Sequence, residues 1–314
     1  MTEPHHILTA KYRVVTPMFL SGADQNHAEL RLPSFKGALR FWWRALAGER
    51  FGNDLQQLRE AEDALFGSIR AGASRVSMRI GDKQIEPQEQ IKFARNSWQS
   101  YIGYGLIDKP EQTSRTCIRP KSYFTVQLGY SRCEDAQCRS LRNALIALGL
   151  FGGLGSRSRN GWGSITLESL TGIDGPWTAP TDKTALGGEI DRLLSTHAAL
   201  QDWTAVTQTS VYAIGKSNPD SEAAHCWLAQ QYKSTINEIA DKPRREAFGL
   251  PRKNSGGNAE ERRAGPILLH VHQPEEAQAI PLALFLPGRF LEKQDEPTGG
   301  WQEPLRFIKS VGQV

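Results

Sequence analysis

The sequence predicts an α+β protein, and three observations carry that prediction. Over the first 170 residues the elements run strand, helix, strand, strand, helix, strand. Two helix-period segments, one opening near Ser34 and one near Arg139, interrupt stretches that alternate like strands. Beyond Thr171–Gly188, which is dense in Gly, Pro, Thr and Asp, the pattern partly recurs. A β-α-β-β-α-β order is two interleaved β-α-β halves. Its partial recurrence predicts two domains in tandem: residues 1–170, a linker at 171–188, and a degenerate second copy at 189–314. A chain of 314 residues has room for two such cores.

Ile7–Leu20, rich in Val, Thr and Tyr, reads as the first strand. The first helix follows, from Ser34 to about Arg50, and contains most of LPSFKGALRFWWRAL (Leu32–Leu46). Pro33-Ser34 supplies a stop and then a capping hydroxyl, so the helix is expected from Phe35. At about 100° per residue, Phe35, Leu39, Trp42, Trp43 and Leu46 share one core-facing arc. Lys36, Arg40 and Arg44 recur at i, i+4, i+8 beside it, with Trp43 at the seam. A row of cations flanked by an indole suits a polyanion carrying flat bases. The same spacing also describes an ordinary amphipathic helix with a solvated face.

A second amphipathic piece covers Leu55–Leu65, and Arg75–Ile80 alternates as a strand. After an excursion through Ser97-Trp98 and Tyr101–Tyr104 comes the strand Tyr123–Leu128. Arg139–Phe151 is the second helix and Ser164–Leu170 the last strand of this half. The second half offers a strand at Thr207–Ile214, a helix at Ala223–Ala240, and strands at Ile267–His272 and Ile280–Phe285. Pro251–Gly265 is charged and nearly free of apolar residues, and is expected to be a mobile loop.

Between the second helix and the last strand of the first half lies GLFGGLGSRSRNGWG (Gly149–Gly163), with six glycines. Glycines let a backbone approach a ligand and take positive φ, exposing consecutive N–H groups as an anion nest. Arg157 and Arg159 add charge, and Ser156, Ser158 and Asn160 add donors. The loop lacks the Gly-Lys-Ser/Thr of a Walker A motif, and Ser158 stands where the dinucleotide fingerprint needs its third glycine. No HRD or DFG follows, which excludes a kinase glycine loop. The plain alternative is a surface turn.

Charge is uneven. Up to residue 170 there are 23 Lys and Arg against 16 Asp and Glu; beyond it there are 15 against 18. The cations therefore concentrate in the half that carries both motifs, as phosphate binding requires. Cys133 and Cys138 have a tolerable zinc spacing, but Cys117 and Cys226 form no second pair, so free thiols and no metal are expected. His270 and His272 share a strand face and are given no role. No run approaches membrane-spanning length and no signal peptide begins the chain, so a cytoplasmic location is expected.

PSFKGALRFWWRAL followed by GGLGSRSRNGWGS resembles the RAMP superfamily of CRISPR-associated proteins, and within it the first-numbered RAMP subunits of type III-B Cmr effector complexes. Members carry a Ser-x-Lys-Gly-x-Leu-Arg-x-Trp-Trp-Arg helix and a GLGSRSR-type loop, matched here by Ser34–Arg44 and Gly153–Arg159. Leu65-Phe66-Gly67-Ser68 before Ser74–Val76, and Leu286-Pro287-Gly288, are further matching pieces. The resemblance implies ferredoxin-like (RRM-like) domains. It implies a non-catalytic RNA-binding subunit of an antiviral ribonucleoprotein, at the head of the complex near the guide RNA 3′ end, where target RNA is captured. Guide (CRISPR) RNA, single-stranded target RNA and neighbouring RAMP subunits are the expected partners, with no cofactor and no membrane. Lys36, Arg40 and Arg44 would take phosphates, Trp43 would stack a base, and Gly155, Ser156, Arg157, Ser158, Arg159 and Asn160 would clamp the backbone. Arg119 and Lys121 would extend the basic surface. In the RAMP subunits that form the effector backbone, the connection after the first strand carries the RNA-cutting aspartate. Here Ser21–Glu29 offers Asp24 and His27, so a ribonuclease is one alternative. A purely architectural cap is the other.

Overall fold

Alternation in two strands decides where the first core lies. In the computed structural model, which describes all residues but 1–5, 25, 89–90, 95, 110–111, 114–115, 131–133, 250–262, 292–294, 298 and 313–314, β1 (His6–Val14) is followed by α1 (Leu32–Ala45), α2 (Leu55–Phe66), β2 (Val76–Gln84), the short α3 (Trp98–Ile102) and β3 (Tyr123–Tyr130). Leu8, Ala10 and Tyr12 of β1 stand opposite Leu128, Val126 and Phe124 of β3, and all six are buried on one face. Then come α4 (Asp135–Phe151), β4 (Ile165–Thr171) and β5 (Trp177–Thr178), completing an antiparallel sheet of order β2-β3-β1-β4-β5. The second half adds α5 (Lys183–Leu194), β6 (Val211–Ile214), α6 (Ser221–Glu238), β7 (Ile267–His272), β8 (Ile280–Phe285) and α7 (Gln302–Val311). Its sheet, also antiparallel, has the order β6-β8-β7.

The protein is therefore mixed α+β with two main antiparallel sheets, beside two short two-stranded ribbons, and α4 lies between the main sheets. It packs on β1 and β4 on one side and on β7 and β8 on the other. That double contact explains why Ala144 through Phe151 are all buried, since a helix enclosed all round has no polar face to show. Gly149 is needed for the close approach: a Cβ there would sit 2.3 Å from the Cβ of Leu167 on β4. Every residue of β7 and β8 is buried, because α6 and α7 cover the face that α4 does not.

Several boundaries differ from the expectations, for local reasons. Helix α1 starts at Leu32, not Phe35; Arg31 is its N-cap and no side chain caps it, so Ser34 lies within the first turn. Pro33 is tolerated there because the first helical N–H groups have no intrahelical acceptor. Strand β1 ends at Val14, and the chain then leaves the sheet to pair Met18 with Ile118. The stretch 171–188 is no free linker. Trp177 and Thr178 pair with Leu170 and Ser169, and Asp182 caps α5 by accepting from Ala185 N–H at 2.9 Å. Residues 251–262 of the expected mobile loop, and Cys133, lie outside the described residues. No helix among the described residues is long and apolar enough to cross a membrane.

His270 and His272 project into this core, and His225 of α6 is equally buried. Burial pushes His270 down to about 3, helped by the charge of His272, and pushes His272 and His225 down to about 4. His272 Nε2 donates to Pro180 O at 2.8 Å, and both rings are part of the core. In the unfolded chain these groups take protons near pH 6.5, which the folded chain refuses. Stability is thus complete above pH 6.5 and falls below it, by up to roughly 1.4 kcal/mol per pH unit for each histidine. Denaturant midpoints at pH 7.5 and pH 5 check this: a clearly lower midpoint at pH 5 is expected, and equal midpoints would show that the three rings are not held neutral.

Candidate nucleic-acid interface

The glycine-rich segment between α4 and β4 is tied into four parts of the chain. Leu154 N–H donates to Gly163 O, Ser156 N–H to Phe19 O and Gly163 N–H to Pro17 O, each at 2.9 Å. Leu269 N–H on the outer edge of β7 donates to Arg159 O at 2.9 Å, which covers that edge. Thr16 Oγ1 donates to Gly161 O at 2.6 Å and accepts from Ser164 N–H at 2.9 Å. Asn160 Nδ2 donates to Ile102 O at 2.8 Å, while His225 Nε2 donates to Asn160 O at 2.9 Å. Gly155, at φ +89°, is required by this packing: a Cβ would lie 2.4 Å from Phe19 O. Contact with Phe19 is thus by itself enough to require a glycine here.

The loop amides divide into two groups. Those of Leu154, Ser156, Asn160, Gly161 and Gly163 have backbone acceptors. Those of Gly153, Gly155, Arg157, Ser158, Arg159 and Trp162 meet no acceptor among the described residues, and only at Arg157–Arg159 are three such amides consecutive. Arg157 sits at φ +61°, uncommon for a non-glycine residue, and is exposed. Three successive free N–H groups beside a left-handed residue have the backbone pattern that an anion nest requires.

This turn faces a cavity of about 580 Å³ lined also by Tyr101, Tyr104, Tyr232 and Arg263. Tyr104 is 78% exposed, leaving its ring open for stacking. Arg159 is anchored: Nη1 donates to Gly265 O at 3.0 Å and the guanidinium lies 5.1 Å over the Phe41 ring. Burial, then neighbouring Arg263, pushes Arg159 down to about 10, so it remains a cation at neutral pH.

The cations of α1 stand elsewhere. Glu62, buried on α2, accepts from Arg40 Nε at 2.6 Å and also from Arg44 Nη1. Lys36 Nζ donates to Phe66 O at 2.7 Å, and burial followed by the charge of Arg40 lowers its pKa. The row thus fastens α1 to α2 and is not a freely solvated stripe. Its guanidiniums still keep 32% and 35% exposure, and the two of them share one carboxylate while Lys36 bonds a backbone carbonyl.

Trp43 requires a correction. It is only 5% exposed, its Nε1 donates to Ser140 Oγ at 2.9 Å, and its ring packs 6.0 Å from that of Phe66. The seam residue is covered because α2 and α4 flank α1 and widen the buried arc, so neither indole offers a face to a base. Arg119 and Lys121 are exposed but rim a second cavity, beside Phe93, Trp98, Trp162 and His225. Asp24 and His27 do meet, at 2.5 Å, on an exposed turn. The Asn26 N–H, then His27, hold the Asp24 carboxyl below its usual range. Among the described residues no three His, Cys, Asp or Glu side chains gather as metal ligands. The tyrosines and Arg263 were not singled out from sequence as site residues. For Tyr101 and Tyr104 a signal was present in Ile91–Tyr104, where aromatics interleave with basic residues; Tyr232 and Arg263 carried none.

Residues 11–166 match the family model of the RAMP superfamily. The CRISPR system Cmr subunit Cmr1-2 of Pyrococcus furiosus is 31% identical, over 50% of this chain and 92% of that protein. The Cmr1-1 subunit of the same organism is 30% identical, over 82% of this chain and 80% of that protein. The chain belongs to the RAMP superfamily, and within it to the family of the Cmr1 subunits. A chain in a solved type III-B Cmr-β complex bound to cognate target RNA shares the fold, with a TM-score of 0.66 at 10% identity and coverage of 98% and 99%.

Because Trp43 is core, Trp43→Ala is expected to cost about 3–5 kcal/mol in denaturant unfolding, comparable to Trp42→Ala. Gly155→Val should also lower stability, through its clash with Phe19. A Trp43→Ala protein as stable as the parent would contradict the burial described here.

Proposed function

We propose that this chain is a non-catalytic RNA-binding subunit of a type III-B CRISPR ribonucleoprotein, built from two ferredoxin-like units. The first unit, residues 1–170, has the β-α-β-β-α-β order and the strand order β4-β1-β3-β2. The second, residues 189–314, repeats β-α-β-β-α with strand order β6-β8-β7 and shows no fourth strand among the described residues, with 171–188 joining the two. The observation that carries the functional reading is the turn at Arg157–Arg159. Its free amides and exposed guanidinium suit a phosphate, and the tyrosines of the adjoining cavity suit bases. A flat stacking surface beside a backbone-reading turn binds single strands without reading sequence. Lys36, Arg40 and Arg44 add to the positive potential that draws the strand in.

The RNA-bound Cmr-β neighbour supports target RNA as ligand. We place the subunit at the head of the complex, near the guide 3′ end, where it helps to capture target, with guide RNA and adjacent RAMP subunits as its other partners. The Asp24–His27 contact favours a ribonuclease as second reading, since a carboxylate can orient a histidine base. Asp24→Ala and His27→Ala are expected to leave every cut made by the assembled complex unchanged; loss of one cut would support that second reading.

Arg157→Ala combined with Tyr104→Ala tests the main reading. Single-stranded RNA affinity should fall, by about 1–3 kcal/mol for the lost stack. The log–log salt slope should flatten by about 0.7 for each phosphate contact removed. Unchanged affinity and slope in the folded variant, with loss from purified complex, would instead assign the loop to docking on a neighbouring subunit.

A further inference from the structure

We propose that the second cavity is a nucleotide site, in which the aromatic walls take one base and Arg119 and Lys121 take its phosphate. It lies where the 91–121 excursion, the end of the glycine-rich loop and α6 come together, and its volume of about 480 Å³ is that of a small-ligand pocket. The identification of its source with RNA rests on the function proposed above; the pocket itself does not.

The walls are flat and fixed. Trp98 and Trp162 lie nearly parallel, 12° apart with centroids at 6.0 Å, and Phe93 packs 5.3 Å from Trp162. His225 meets both indoles edge-on at 4.9 Å. Phe93, Trp162 and His225 are buried, whereas Trp98 is half-buried and presents the accessible part of the wall. Burial keeps His225 neutral, and its Nε2–H is engaged by Asn160 O, which leaves Nδ1 as an acceptor. Gln99 and Glu222 also line the cavity and can meet donors on a base edge.

The mouth decides the charge of the ligand. An aromatic box alone would also suit a quaternary ammonium group. Two exposed cations stand at the rim, Lys121 and Arg119, the latter in a loose, exposed ion pair with Glu86 at 3.7 Å. They disfavour that guest and select an anion despite Glu222 elsewhere on the lining. Both stand on a pinned turn: Arg119 N–H donates to Glu86 O and Lys121 N–H to Val14 O, each at 2.8 Å. Lys121 is held at φ +73°, a costly conformation for a lysine that these bonds maintain. Apolar flat walls with cations at one end match a nucleotide, whether free or as one residue of a strand passing over the loop. The His225–Asn160 bond links the pocket directly to that loop.

Two measurements on the full chain test this. Adenosine 5′-monophosphate is titrated calorimetrically, and single-stranded RNA carrying 4-thiouridine is photo-crosslinked and its adducts mapped by mass spectrometry. Adducts on the peptides holding Phe93, Trp98 or His225 are expected, reduced at least tenfold in Trp98→Ala and in Arg119→Ala/Lys121→Ala. The second variant alters only exposed side chains and keeps the test valid if the first fails to fold. Binding of the free nucleotide, lost in the double variant, would establish the pocket even without RNA binding. Adducts displaced by excess nucleotide would mean that both sources fit, and undisplaced adducts that only the strand does. RNA held firmly with adducts confined to Arg157–Asn160, together with no nucleotide binding, would overturn the pocket and leave the loop reading intact. No RNA bound at all would overturn the loop reading instead.

Discussion

The backbone hydrogen bonds of Leu154–Ser164 hold the two halves of this protein in register. They tie the end of β1, through Thr16, Pro17 and Phe19, to the edge of β7, through Leu269. Buried N–H and C=O groups must be paired, and a segment crossing between two sheets can meet that demand only by bonding to both. The glycines follow from this: the loop crosses at contact distance from neighbouring backbone, where a Cβ at Gly153 would lie 2.6 Å from Gly163 O. The loop is consequently a joint. What the joint does not use at its turn, the consecutive amides of Arg157, Ser158 and Arg159 and one exposed arginine, is what we propose for a ligand.

That division gives the RNA-binding reading its physical form. A turn whose flanks are fixed loses little entropy on binding, so its free amides are pre-organised for a phosphate. Arg159, stacked on Phe41 and bonded to Gly265, belongs to the joint, whereas Arg157 is exposed and is the residue we propose for the ligand. The α1 cations show the same double use. Two of them neutralise Glu62 inside a helix–helix contact, while their partial exposure and surplus charge still contribute to the field outside.

Sequence legibility tracked periodicity. Strands β7 and β8 were legible to the residue because apolar runs bounded by turns leave little choice of register. Helix α7 was not singled out, although Pro304, Phe307, Ile308 and Val311 recur at helical spacing, because ten residues give fewer than three turns in which to read a period. The site was half legible. Glycines and arginines marked the loop, but which of its amides bond within the chain depends on segments more than a hundred residues away. Trp43 looked like a seam residue because a single helix cannot reveal how widely its neighbours wrap it. Tyr104 and Trp98 sit in an excursion without regular period, where patterning is silent, and only the fold brings them to the loop and to α6.

Amide hydrogen exchange across the loop, with and without single-stranded RNA, tests the central claim most directly. In the free protein the amides of Leu154, Ser156, Gly163 and Leu269 should exchange only through global unfolding, alongside those of β1. The amides of Arg157, Ser158 and Arg159 should exchange quickly and become protected when RNA is added. Fast exchange throughout the segment, or fast exchange at Arg157–Arg159 that saturating RNA leaves unaltered, would contradict a loop that is both the joint of the fold and the seat of a phosphate.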